Sequence, residues 1–168
     1  MPCACKVPVA TYPETADWGP LFWTLLHGLA ERSGKQTNEI LQGDERRAWI
    51  QVIQNLAATL PCEQCRLHFS DYVLTHPVKS WLNLPYVEFG RTVRTWIWAV
   101  HNEVNQRLGK STFPFENLTE TYREVKIREI WQRLDPVIQR AILLSGINLF
   151  AWRKWTGNIR SIEGVYGI

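Results

Sequence analysis

Pro61-Cys62-Glu63-Gln64-Cys65 constrains this chain more than any other stretch of it. Upstream, Trp49, Ile50, Ile53, Leu56, Ala57 and Leu60 recur at the i, i+3, i+4, i+7 spacing of one buried helical face. Proline carries no backbone N–H and breaks that pattern. A new helix then starts at Cys62, which places both cysteines in a first helical turn. Free backbone N–H groups and the helix dipole stabilise a thiolate there. Two cysteines separated by two residues can close a small disulfide that opens again, so the motif points to redox or metal chemistry rather than to packing.

The rest of the chain reads as further helices. A first helix is expected from an N-cap at Asp17 to about Arg32, stopped by Gly34. The second runs from about Asp44 to Thr59, and the third from Cys62 to just before Pro77. Residues 77–85 read as a linker. The fourth, about 87–108, carries Trp98, His101, Asn105 and Leu108 on one side and ends at Gly109. A shorter helix follows from Glu116 to about Leu134, and Pro136 opens an apolar segment running to about Trp155. No strand alternation and no internal repeat is present. The expected fold class is all-α, with the apolar faces buried in a helical bundle. The length of 168 residues and 45% hydrophobic content suit one domain of ordinary size, or a small domain plus an extension. Residues 1–15 hold three prolines and no helical period, and read as a flexible arm bearing Cys3 and Cys5.

Charge and hydropathy exclude several classes. A net charge of +3 with no block of basic residues longer than two argues against a nucleic-acid partner. The densest basic group, Arg153-Lys154 near Arg160, reads as a solvated surface. The most apolar stretch, residues 141–152, falls well short of the roughly 20 residues that span a bilayer. No basic segment followed by an apolar one marks a secretory signal, so the sequon at Asn117 carries no weight. Paired cysteines in such a chain point to catalysis or metal binding rather than structural staples.

Thioredoxin-like chemistry needs a strand before Cys-x-x-Cys, and the segment here is helical. Haem attachment needs His directly after the second cysteine, where Arg66 stands. Zinc could draw on Cys3, Cys5, Cys62, Cys65 and His68, although 56 residues separate the two cysteine pairs, unlike common zinc modules. Redox, zinc and a structural role therefore all remain open on spacing alone. On the first helix Trp23 and His27 stand four apart, which a core aromatic with a satisfied histidine would explain. His101, Asn102 and Asn105 are harder to explain by packing. Asn is a poor helix former, and burying two amides and an imidazole is costly without partners. A flat polar cofactor supplies partners, Arg107 and Lys110 could meet a pyrophosphate, and some of the nine tryptophans could serve a flat ligand.

Gly19-Pro20-Leu21-Phe22-Trp23-Thr24-Leu25-Leu26-His27, then Pro61-Cys62-Glu63-Gln64-Cys65, then His101-Asn102-Glu103-Val104-Asn105 with Leu108-Gly109-Lys110 and Phe113, resembles the Erv/ALR family of FAD-dependent sulfhydryl oxidases over roughly residues 17–123. The resemblance implies a four-helix bundle with a short fifth helix that holds FAD noncovalently. It also implies a homodimer that oxidises protein thiols to disulfides and reduces molecular oxygen to hydrogen peroxide. Cys65 would be the flavin-proximal cysteine and Cys62 the one that exchanges with incoming thiols. Gly19, Trp23, His27, His101, Asn102, Val104, Asn105, Leu108 and Lys110 would line the FAD site, with Tyr122 as its aromatic neighbour. Cys3 and Cys5 resemble the family's shuttle pair. The chain departs from cellular members in lacking cysteines for an additional structural disulfide, with Phe115 about where one would stand, and in having Pro20 at a frequently basic position. These departures are more similar to virus-encoded members. The resemblance implies host cytoplasm or virion for a viral protein, and the mitochondrial intermembrane space for a cellular one. Residues 124–168 fall outside it, and their apolar content suggests a helical extension that packs, dimerises or docks a partner.

Overall fold

The computed structural model describes residues 11–168, and among these it contains seven α-helices and no strand. The class is all-α, as the periodicity predicts. Helix α1 spans Thr15–Ala30. Asp17 is not its N-cap but lies in the first turn, where its carboxylate accepts from the Glu14 backbone N–H at 2.8 Å. Helix α2 spans Glu39–Leu56, five residues longer at its start than the apolar period suggests. Asn38 caps it, its side-chain oxygen accepting from the N–H groups of Ile40 and Leu41. The apolar residues of its first turn, Ile40 and Leu41, are adjacent rather than helically spaced, and Ile40 is exposed. Helix α3 spans Glu63–Thr75 with Cys62 as its N-cap, where the sequence puts it.

The expected linker contains a 3-10 turn, Lys79–Asn83, that buries Trp81. Helix α4 spans Tyr86–Arg107 and α5 Leu118–Tyr122. The chain breaks at residues 123–126, before α6 at Ile127–Leu143, so the single helix read over 116–134 is two elements. Pro136 does not open a segment. It lies inside α6, whose buried face, Ile127, Ile130, Leu134, Ile138 and Ala141, runs straight through it. Helix α7 spans Leu149–Tyr166.

One hydrophobic cluster joins α1, α2, α3, α4, α6 and α7. The last helix packs along α2 and α6 along α1, while α1 also packs on α4. Trp155 is fully buried and donates from Nε1 to the Val52 carbonyl at 3.1 Å. Phe69 and Tyr72 meet Trp96 edge-on, setting α3 against α4. Among the described residues no helix is long and apolar enough to cross a membrane.

Candidate active site

Cys62 and Cys65 form a disulfide with Cα atoms 5.1 Å apart, and both are partly exposed. Cys62 Sγ accepts from the Cys65 backbone N–H at 3.1 Å, so one sulfur takes the place of an oxygen at the helix N-cap. That bond, with the dipole of α3 behind it, stabilises a thiolate at Cys62 once the disulfide opens.

A second constellation is built from rings. Trp23 on α1 stacks on His101 of α4, centroids 4.3 Å apart and 10° from parallel. His27, one turn along α1 from Trp23, stacks on Tyr122 of α5 at 4.4 Å and 15°. His27 Nε2 and His101 Nδ1 are 3.0 Å apart, so one carries a proton and donates it to the other. Two charged imidazoles could not share such a bond. Burial, then the neighbouring His101, lowers His27 to about 3. Burial, then the Lys110 ammonium, lowers His101 to about 4. Both rings are therefore neutral near pH 7. Whichever donates, the second nitrogens, His27 Nδ1 and His101 Nε2, include one donor and one acceptor.

Helix α4 closes in a Schellman motif. Gly109, at φ 67°, donates to Gln106, and Lys110 N–H donates to the Asn105 carbonyl at 2.8 Å. This turn brings the Lys110 charge back toward His101. Asn102 is buried and turns its amide to the loop beyond. Its oxygen accepts from Phe113 N–H at 2.8 Å and its NH2 donates to the Phe113 carbonyl at 3.0 Å. Trp98 Nε1 donates to the same carbonyl at 2.7 Å. Asn105 has only a long 3.4 Å bond to Asn102 and is partly exposed. Val104 is half-buried, and Leu108 is exposed at the C-cap of α4. Gly19 is buried on α1, where an added Cβ would make only ordinary contact with Thr15. Cys3 and Cys5 lie outside the described residues.

The structure thus brings Trp23, His27, His101 and Tyr122 together, with Lys110 near, and holds Asn102 and Asn105 behind them. Among the described residues no hydrogen bond or ring contact links this cluster to the disulfide. One network escaped sequence reasoning. Glu31, buried at the C-cap of α1, pairs with Arg94 Nε of α4 at 2.8 Å and accepts from Thr119 Oγ1 of α5 at 3.0 Å. It ties α5, and with it Tyr122, onto α1 and α4. Its members lie far apart in the chain, and each alone reads as a surface residue. Among the described residues no group of three or more His, Cys, Asp or Glu side chains is placed to hold a metal ion. His68 lies 3.0 Å from the amide of Gln64.

The fold and site define an all-α protein with a Cys-x-x-Cys disulfide at one helix N-terminus and a neutral, aromatic, polar-edged cluster between helices α1, α4 and α5. The Erv1 / Alr family model matches residues 20–123, and the chain belongs to that family. It is 29% identical over 113 residues to an FAD-linked sulfhydryl oxidase of African swine fever virus, covering 67% of this chain and 86% of the relative. It is 29% identical over 105 residues to the mitochondrial FAD-linked sulfhydryl oxidase erv1 of Schizosaccharomyces pombe, covering 60% and 50%. Sulfhydryl oxidase 1 of Arabidopsis thaliana is 31% identical over 97 residues, covering 58% of this chain and 16% of the relative. No solved structure matches the chain.

Proposed function

We propose that this chain is an FAD-linked sulfhydryl oxidase. The observation that carries the reading is the Cys62–Cys65 disulfide held at the N-terminus of α3, in a chain of this family. A substrate thiolate attacks Cys62 Sγ. The Cys62–Cys65 bond breaks and Cys65 leaves as a thiolate in the first turn of α3. A second substrate thiolate then attacks the sulfur bound to Cys62, forms the product disulfide and releases Cys62, whose charge the Cys65 N–H stabilises. The sum is two thiols and one oxygen molecule converted to one disulfide and hydrogen peroxide.

The residues present fit FAD. A flat heterocycle could pack against the partly exposed rings of Trp23, His101 and Tyr122, with His27 buried between them. The second imidazole nitrogens and Asn105 would hold its polar ring atoms, and Lys110 would hold a phosphate. Gly19, Asn102, Val104 and Leu108 complete the residues that would hold it. FAD, when bound, supplies the two-electron chemistry that passes the electrons of the reduced Cys62–Cys65 pair to O2. The protein supplies position and electrostatics: neutral imidazoles, a fixed Asn102–Phe113 loop and a cationic Lys110.

The finer reading has protein thiols as substrates, a homodimer as the working form, and Cys3 and Cys5 as a shuttle that relays electrons from bulky substrates to Cys62. Residues 16–123 form the oxidase domain and 124–168 its helical extension. Purified protein should be yellow and should consume oxygen with dithiothreitol. A colourless protein that does not take up FAD but contains stoichiometric zinc would overturn the oxidase reading. Replacing Cys3 and Cys5 by Ser should spare small dithiols and slow reduced proteins. Equal rates on several proteins would remove the shuttle.

A further inference from the structure

Two residues outside the family-matched region close on the redox loop. Tyr12 precedes α1, and its hydroxyl donates to the Pro61 carbonyl at 2.7 Å. Gly146 lies in the turn between α6 and α7, and its carbonyl accepts from Arg66 Nη1 at 3.0 Å. The same Arg66 nitrogen donates to the Leu60 carbonyl at 2.9 Å. The carbonyls of Leu60 and Pro61, the two residues before Cys62, are thus both held by side chains. Arg66, directly after Cys65, ties the far side of the motif to the C-terminal hairpin.

The turn is shaped for this contact. Helix α6 ends in a Schellman motif: Ser145 N–H donates to Ile142 and Gly146 N–H to Ala141, both at 2.9 Å. Glycine usually takes the left-handed position of that motif, but Ser145 occupies it here, at φ 62°. The glycine stands one residue later, where Tyr12 lies against the backbone. A Cβ on Gly146 would fall 1.9 Å from the Tyr12 hydroxyl oxygen and 2.3 Å from its ring, far inside non-bonded contact, so the Tyr12 side chain would have to move. Gly146 is therefore the residue that lets Tyr12 reach Pro61. Burial raises the Tyr12 hydroxyl above the ordinary phenol value, with the Arg66 charge opposing, so it stays a protonated donor near pH 7.

We infer that Tyr12, Arg66 and Gly146 are positioning residues for the Cys62–Cys65 pair, and that the C-terminal hairpin serves to hold the redox loop. The clamp keeps the two sulfurs in bonding position, raising the effective concentration of one thiol at the other and favouring the disulfide over the dithiol. The inference rests on the reading of Cys62–Cys65 as the working disulfide.

The test is the glutathione equilibrium of that disulfide in the full chain, in which two glutathione thiols reduce Cys62–Cys65 and leave as glutathione disulfide. The reduced fraction is read by alkylation and peptide mass analysis of the Cys62–Cys65 segment. Tyr12→Phe keeps the ring over Gly146 and removes one hydrogen bond. It should shift the equilibrium toward the dithiol about two- to tenfold, the worth of one net hydrogen bond. Arg66→Lys keeps the charge but cannot bridge both carbonyls, and should shift it the same way. Gly146→Ala should shift it at least as far. If Gly146→Ala fails to fold, the double variant Gly146→Ala/Tyr12→Ala removes the overlap and should match Tyr12→Ala. Ile159→Val, buried in α7 away from the loop, should lower the melting temperature and leave the equilibrium unmoved. An unchanged or reversed equilibrium in Tyr12→Phe and Arg66→Lys, or an equal shift in Ile159→Val, overturns the inference. The readout needs neither flavin nor oxygen, so failure of the oxidase reading would show separately, as a colourless protein.

Discussion

Trp23 and His101 lie face to face at 4.3 Å, one from α1 and one from α4, 78 residues apart in the chain. This contact turns two helix-face patterns into one surface. It predicts that His101→Ala and Trp23→Ala each weaken flavin retention, because each removes a stacking plane worth on the order of 1 kcal/mol. The absorbance ratio of flavin to protein after dialysis should fall about threefold to tenfold. Retention equal to wild type in both variants would move the cofactor elsewhere.

The His27–His101 pair predicts an acid-sensitive fold. Both folded-state values, about 3 and about 4, lie below the ordinary histidine value of 6.5. Below about pH 6.5 the unfolded chain therefore binds protons that the folded chain does not. Stability should be constant above that pH, fall as pH drops toward about 4, and lose this dependence below about 3. One such imidazole contributes a loss of about 2 kcal/mol between pH 7 and pH 5. The two losses are not additive, since His101 is one cause of the shift at His27. Urea melts at pH 7 and pH 5 check this. His27→Gln should reduce the difference to the part that His101 contributes, and a fold equally stable at both pH values would contradict the pairing.

Asn102 carries a structural load that its cofactor reading did not anticipate. Its amide pairs with both backbone groups of Phe113 and so pins the loop that follows α4. Asn102→Leu leaves the Phe113 N–H without its partner at a partly buried position, at a cost of about 1–3 kcal/mol. For a chain of this size that lowers the melting temperature by about 2–12 °C. Asn102→Asp keeps the acceptor for Phe113 N–H but loses the donor to its carbonyl, and should fall between Asn102→Leu and wild type. A melting temperature unchanged in Asn102→Leu would mean that the loop is held without it.

These cases show where sequence reasoning reaches its limit. The start of α3 was legible because Pro61 and Cys62 act locally, one breaking a helix and the other capping the next. Trp23, His27 and His101 were legible as types on helix faces, because spacing within a helix is short-range, and Tyr122 only through the family resemblance. Their pairing was not, since which ring meets which depends on how α1, α4 and α5 dock. Pro136 misled the reading because a proline inside a pattern suggests a break. In α6 the buried face on both sides of it, from Ile130 to Ala141, outweighs the lost hydrogen bond. The Glu31–Arg94–Thr119 network and the Tyr12–Gly146 contact join residues with no shared pattern at all.

The C-terminal residues give the last prediction. Read from sequence, residues 124–168 could be an appendage whose removal spares the site. In the structure Trp152, Trp155, Ile159 and Ile162 of α7 are buried in the common cluster. Trp155 has no exposed surface, meets Phe22 at 5.4 Å and Trp152 at 5.5 Å, and bonds the Val52 carbonyl. Phe22 precedes Trp23 on α1, so loss of this contact loosens the helix that carries half of the ring cluster. Trp155→Ala should destabilise the fold by about 3–5 kcal/mol, a cavity plus an unpaired carbonyl. Trp155→Phe, which keeps most of the volume but not the donor, should cost roughly half as much. Truncation after Leu143 should leave an insoluble or unfolded chain that retains no flavin, because α2 loses the helix packed along it and Phe22 of α1 loses Trp152 and Trp155. A soluble truncated protein that melts like the full chain would show that α7 is an appendage after all.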